Sequence, residues 1–317
     1  MAGTLADMAT QSTNPFERGV VKKFNETSDW IQVCPYKTIK GQVYRYRVEE
    51  VQPGISWRDV NAAYPESSGV IAPRVESTMI VGGDIFLDNA LLNTARSGGD
   101  AIDYQESQYS MKARSLAREI ERASFEGDDL INPAEMMGLR ARLSGTQVIY
   151  AGTAGAGGAL TLILMDALLD ALDLSIGQAH VWMSKADRRA LTRLVTSATG
   201  SVNYTFTTLN DAGKVIESYY GAQIHIVEDG WDATTILGKD EDAGNGTANT
   251  SSIYATIFDE NLGVCGLLSG GDGSPLVDVR EVGETTSGPP GILGRIECYP
   301  GLMVKSPRAA ARLRGVL

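Results

Sequence analysis

The sequence predicts an α+β fold, on three observations. Residues 41–80 read as two extended arms around a polar, turn-rich middle, and residues 103–125 carry one dominant helical stripe. Beyond a glycine-rich run at 152–158, short apolar strands alternate with amphipathic helices. The 317 residues, 43% hydrophobic and 21% charged, are enough for one large domain or two interleaved ones with a substantial core.

The first element expected is a short helix over Asn14 to Thr27. Asn14 can cap it, Pro15 suits its first position, Glu17 complements the free N–H groups, and Phe16, Val20 and Phe24 share a face. Val43, Tyr44, Tyr46 and Val48 then run outward, and Val70, Ile71, Val75, Met79 and Ile80 return. Pro53, Gly54, Trp57, Arg58, Asn61 and Pro65 lie between them, so the segment is a long hairpin-like loop.

In the dominant helix, Asp103 to Phe125, the residues Tyr109, Ala113, Leu116, Ala117 and Ile120 form the stripe. Arg122 can pair with Glu126, and Gly127 supplies the stop. Asn132 to Leu143 looks like another capped helix, and a crossover between units is placed at Gly152 to Gly158. Leu162 to Leu172 gives a helix face and Ala179 to Met183 a strand. Ser184 and Asp187 open a further helix with capping-box spacing. Strands are expected at 223–227, 253–258, 264–268 and 276–279, with a last one running from Gly294 to Val304. The acidic stretch Gly238 to Ser252 between two of them is expected to be an exposed loop.

Charge and composition exclude several function classes. A net charge of −11 disfavours a surface built to grip nucleic acid, although Arg295, Lys305, Arg308, Arg312 and Arg314 face only Glu297 near the C-terminus. Cys34, Cys265 and Cys298 are an odd set without CxxC spacing, which encodes neither a disulfide framework nor a thiolate metal site and fits a reducing compartment. The sequence carries no export signal and no apolar run of about 18 residues.

Catalytic signals are weak. His180 and His225 each sit in an apolar strand and read as satisfied core or edge residues. The stretch around Ser269 misses nucleophile-elbow spacing by one residue, and the 152–158 glycines lack a following GK[ST] and read as a hinge. Asp240, Glu241 and Asp242 lack the alternating donors of a calcium loop. No catalytic, cofactor or metal residue is assigned.

The hairpin instead points to assembly. A lone two-stranded ribbon orders many residues while burying little apolar area. This one also carries Trp57, Arg58 and Tyr64 near its tip and Arg45 on its outgoing arm, residue types enriched in interfaces. Along the long helix, Lys112, Arg114, Arg118, Glu119, Glu121 and Arg122 flank the apolar stripe. They are expected to meet complementary charges on adjacent copies and fix register.

This collinear order resembles the major capsid proteins of tailed bacteriophages. Four stretches carry the likeness: Asn14-Pro15-Phe16-Glu17-Arg18-Gly19-Val20, Val51-Gln52-Pro53-Gly54-Ile55-Ser56-Trp57-Arg58, Val81-Gly82-Gly83-Asp84, and Ser306-Pro307-Arg308-Ala309-Ala310-Ala311-Arg312-Leu313. The resemblance implies the capsid fold shared with herpesviruses: an N-arm at 1–40, an E-loop at 41–80 and a peripheral domain at 81–158 with its spine helix at 103–125. An axial domain follows at 159–281, and residues 282–317 return to the peripheral domain.

It further implies a non-enzymatic subunit forming hexamers and pentamers of an icosahedral head around double-stranded DNA, found in the virion and assembled in the host cytoplasm. Its partners would be itself, a portal protein and a separate scaffolding protein, because the chain begins almost directly at the arm. Some family members weld neighbours through an E-loop lysine. None occurs between Gly41 and Ser110, so a non-covalent shell is expected. Two alternatives are an encapsulin-like shell enclosing enzyme cargo and a hydrolase using Ser269 or His225.

Overall fold

In the computed structural model the described residues are 15–98, 101–152, 156–197, 204–209, 215–227, 235–244, 246, 248–270, 277–284 and 289–317. Helix α1 (Pro15–Thr27) buries Val20, Val21 and Phe24 and turns the ion pairs of Lys22 and Lys23 with Glu26 outward. The expected cap, Asn14, lies outside the described residues. Ser28 caps α2 (Asp29–Val33) by accepting from the Ile31 N–H, which drives Trp30 and Ile31 inward.

After β1 (Tyr36–Ile39), the strands β2 (Val43–Val51) and β3 (Val70–Ser77) form the antiparallel hairpin, with Val43 opposite Ser77 and Val51 opposite Val70. Strand β4 (Val81–Asp88) and helix α3 (Asn89–Gly98) lead into α4 (Ala101–Glu126), the 26-residue counterpart of the expected long helix. Its stripe of Tyr109, Ala113, Leu116, Ala117 and Ile120 is buried throughout. It packs on a three-stranded sheet in which β14 (Gly291–Cys298) lies between β4 and β13 (Asp278–Glu284). Gly294 lets the two layers touch, since any side chain there would collide with the Tyr109 ring.

The second half is organised by an eight-stranded mixed sheet. Its path runs β5 (Val148–Tyr150), β16 (Ala310–Val316), β11 (Ala248–Ile257), β6 (Ala179–Met183), β9 (Ala222–Ile226), β8 (Val215–Tyr219) and β7 (Tyr204–Leu209), and β10 (Glu241–Asp242) pairs with β11. Both faces are covered, which explains why β6 is apolar at every position but His180. Val181 and Met183 meet the buried leucines of α6 (Leu162–Asp170) and α7 (Lys185–Ser197). Trp182 on the opposite face joins Trp30, Phe125 and Tyr254. Trp30 sits edge-on to Phe125, Trp182 and Phe258 at 4.8, 5.0 and 5.3 Å, so the N-terminal helices, long helix and main sheet share one aromatic knot. A third sheet orders β1, β12 (Val264–Ser269) and β15 (Pro300–Val304).

Several expectations need correction. Residues 132–138 make turns, because Asn132 spends its side-chain and backbone oxygens on the N–H groups of Ala134 and Glu135, leaving only the four-residue helix α5 (Leu139–Arg142). The final strand is two strands: β14 ends at Cys298, and β15 begins at Pro300, which has no N–H to continue a ladder, and crosses to another sheet.

The segment 310–316 pairs with β5 and β11 in the main sheet, whereas 291–298 lies against β4 beside the long helix. Of the described residues in the 238–252 stretch, Lys239, Asp240, Gly244, Gly246 and Asn249 are exposed as expected, while others turn inward. Glu241, Thr250, Ser251 and Ser252 are buried, and Glu241 meets the buried guanidinium of Arg312. The strand expected at 276–279 begins later and runs to Glu284, and part of the 152–158 hinge lies outside the described residues.

Candidate assembly interface

The hairpin divides into a fastened root and a projecting tip. At the root, Tyr46 and Val48 pack with Ile39, Cys265, Leu267 and Met303. The Tyr46 hydroxyl donates to Glu76 at 3.1 Å, and burial followed by that carboxylate holds its phenol well above the usual range. Arg142 grips both oxygens of Glu76, and Thr78 N–H donates to Gln42 O while Met79 N–H donates to Pro300 O, both at 2.9 Å. Between hairpin and body lies a groove of about 540 Å³, walled by Arg74, Glu76, Asp129, Met137, Arg142 and Lys305 among others.

Beyond the root every residue from Glu49 to Ile71 is exposed. Among the described residues, ten of the 22 exposed large hydrophobic ones fall between Val43 and Ile80, so their exposed apolar surface is concentrated on this segment. The tip is nevertheless built. Asp59 O accepts from the Ala62 N–H, Asn61 takes a φ of 64°, and Ser67 Oγ donates to Gly54 O at 2.7 Å. Arg58 donates to the carbonyls of Asp59 and Ala62 and lies 5.0 Å over the Tyr64 ring. Polar groups thus brace the backbone while Ile55, Trp57 and Val60 stand out at 98, 102 and 84% exposure. A braced loop presenting bare apolar side chains suits docking, since little ordering cost remains.

Of the residues expected at the interface, Arg45, Trp57, Arg58 and Tyr64 are exposed on this one projection. The helical set is not brought together with it, and its members differ. Arg114 is exposed, with Nε donating to Ser110 O. Lys112 is half-buried, lining a recess beside Gly83 and Glu119. Arg118 is half-buried with its Nε unpartnered.

Glu121 is corrected from a surface charge to a buried one, 2% exposed, because it lies on the inward side of the helix. Arg122 pairs with Glu119 at 2.7 Å and Glu135 at 2.5 Å in place of Glu126, and these anions raise its pKa, Glu119 foremost. The composition of the tip was legible in the sequence; the Glu76–Arg142 clamp, made across the fold, was not.

The histidines form no catalytic pair with Ser269. His180 Nδ1 lies 3.0 Å from His225 Nε2, and His225 stacks on Trp182 and approaches Asp29 at 3.6 Å. Ser269 donates instead to Gly41 O at 2.8 Å. Among the described residues no group of three or more His, Cys, Asp or Glu side chains could hold a metal ion, and no helix is long and apolar enough to cross a membrane.

No protein-family model matches the chain, and no curated protein matches it in sequence. Solved structures do match its fold. The holo-SrpI encapsulin complex of Synechococcus elongatus aligns with a TM-score of 0.63 at 17% identity, over 92% of this chain and 88% of that one. The capsid of Cyanophage A-1(L) gives 0.59 at 13%, over 89% and 90%. The capsid of a native GTA particle gives 0.57 at 14%, over 92% and 91%. The fold implied by the sequence resemblance is therefore the fold the chain has.

Proposed function

We propose that this chain, which has the fold of capsid and encapsulin shell subunits, is the major capsid protein of a tailed phage. Copies assemble as hexamers and pentamers into an icosahedral head enclosing double-stranded DNA, and the subunit carries out no reaction. The observation that carries this reading is the braced hairpin tip, whose apolar side chains find no cover on their own chain. Each tip lies across a neighbouring copy, and many individually weak contacts close the shell.

Scaffolding and portal proteins belong to the same reading, as does non-specific contact of DNA with the inner face. A second reading has a specific observation in its favour: the encapsulin likeness at a TM-score of 0.63 fits a shell around enzyme cargo. Purified particles decide between them. Closed shells by electron microscopy support the common reading; nuclease-protected DNA inside favours the phage head, and a co-purifying enzyme favours the compartment. A chain that stays monomeric at every salt and protein concentration contradicts both.

A further inference from the structure

The unit spanning 159–281 segregates its charge. It carries seventeen carboxylates against seven cations, and four of the seven, Lys185, Arg188, Arg189 and Arg193, lie on α7. Arg188 is spent inside the chain on Glu217. Lys185, Arg189 and Arg193 are exposed, spaced four residues apart, and so stand in one row along the helix. The adjacent helix α6 carries the opposite pattern. It has no cation, and Asp166 and Asp170, also four apart and exposed, continue from the 79%-exposed Ile163. Tyr219 donates to Asp166 at 2.6 Å and steadies that end of the row.

The two helices touch through their buried leucines, yet among the described residues no ion pair joins Arg189 or Arg193 to Asp166 or Asp170. The Arg189 Nε donates to the Lys185 carbonyl, which settles one nitrogen of that exposed guanidinium. The Arg189–Arg193 pair of α7 and the Asp166–Asp170 pair of α6, each four residues apart, therefore lie on one chain with no ion pair between them among the described residues.

We propose that the α7 row of one copy docks on the α6 row of the next, as a head-to-tail contact. Because the two surfaces differ, such a contact is heterologous, and it forms a ring where the rotation between successive copies closes. Elsewhere this unit is strongly acidic and would repel its copies, so the basic helix is the feature that orients one against the next. The inference rests on the shell reading above and assigns a second contact independent of the hairpin.

The test uses the full chain and measures the assembled fraction by sedimentation velocity and electron microscopy. Wild type is measured first: if it forms no assembly, the shell reading fails and this contact with it. Given wild-type assembly, R189E/R193E is expected to stay folded by circular dichroism and to lose assembly more than about tenfold. Adding D166K/D170K to it restores assembly.

Should the lysine pair disturb folding through the lost Tyr219 contact, R189Q/R193Q keeps the question decidable, because both side chains are exposed. That variant must assemble less than wild type and lose the wild type's sensitivity to salt. Wild-type assembly by R189E/R193E, failure of a folded four-site variant to recover, or unchanged salt sensitivity in R189Q/R193Q would each overturn the pairing while leaving the shell reading in place.

Discussion

Arg142 donates both terminal nitrogens to Glu76, at 2.5 and 2.7 Å, and so ties the returning strand of the hairpin to a helix that follows 66 residues later. Both side chains are mostly buried, at 12 and 14% exposure. Deleting one partner strands the other charge, so Arg142→Ala is expected to cost about 3 kcal/mol in denaturant unfolding. Hydrogen exchange at residues 43–48 should accelerate selectively. A variant with wild-type stability and protection would show that the root is held elsewhere.

A similar logic governs Arg312 and Glu241, each 6% exposed at its side chain, with Ser252 bonding both and Arg140 3.3 Å from the carboxylate. Arg312→Leu leaves a buried carboxylate and should lose about 3 to 5 kcal/mol. The joint replacement R312L/E241L should lose markedly less, because the charge then left without this partner, Arg140, is 44% exposed and keeps its water. Equal losses in both variants, compared by urea titration, would mean that packing rather than charge sets the cost.

Acid should loosen the aromatic knot. Burial, followed by the facing His225, lowers the His180 pKa from 6.5 to about 4. The unfolded chain therefore binds more protons than the folded one between those values, so stability falls as pH drops from about 6.5 to about 4. His180→Gln should flatten that part of the stability curve. Identical slopes for the two proteins would rule His180 out as the responsible group.

The absence of lysine between Gly41 and Ser110 predicts a shell without covalent links through this loop. Boiled in denaturant, assembled particles should run as a single monomer band. A ladder of multimers would contradict this and require a different donor.

Much of the architecture was legible because it rests on local periodicity. The stripe of α4, the Ser184–Asp187 cap and the span of β6 depend on spacing within one element. What was missed depends on distant partners. Strand β16 reads as a basic tail because Arg312 and Arg314 alternate with apolar residues. Its burial becomes intelligible only once Glu241 and the Asp242 carbonyl are seen to receive those guanidinium groups.

The same reason hid the burial of Glu241 and Ser252 within the acidic 238–252 stretch. Composition marked Trp57 and Arg58 as interface residue types, but not the bonds that brace the tip around them. For Glu121, a charged letter beside an apolar stripe could not reveal that it points inward.

The central claim is that the projecting hairpin is completed by another copy, and W57A/R58A tests it most directly. These side chains lie at an exposed tip, so the variant should remain soluble with a wild-type melting curve, while electron micrographs show no shells under conditions where wild type forms them. Normal particles from a folded W57A/R58A protein would contradict the account.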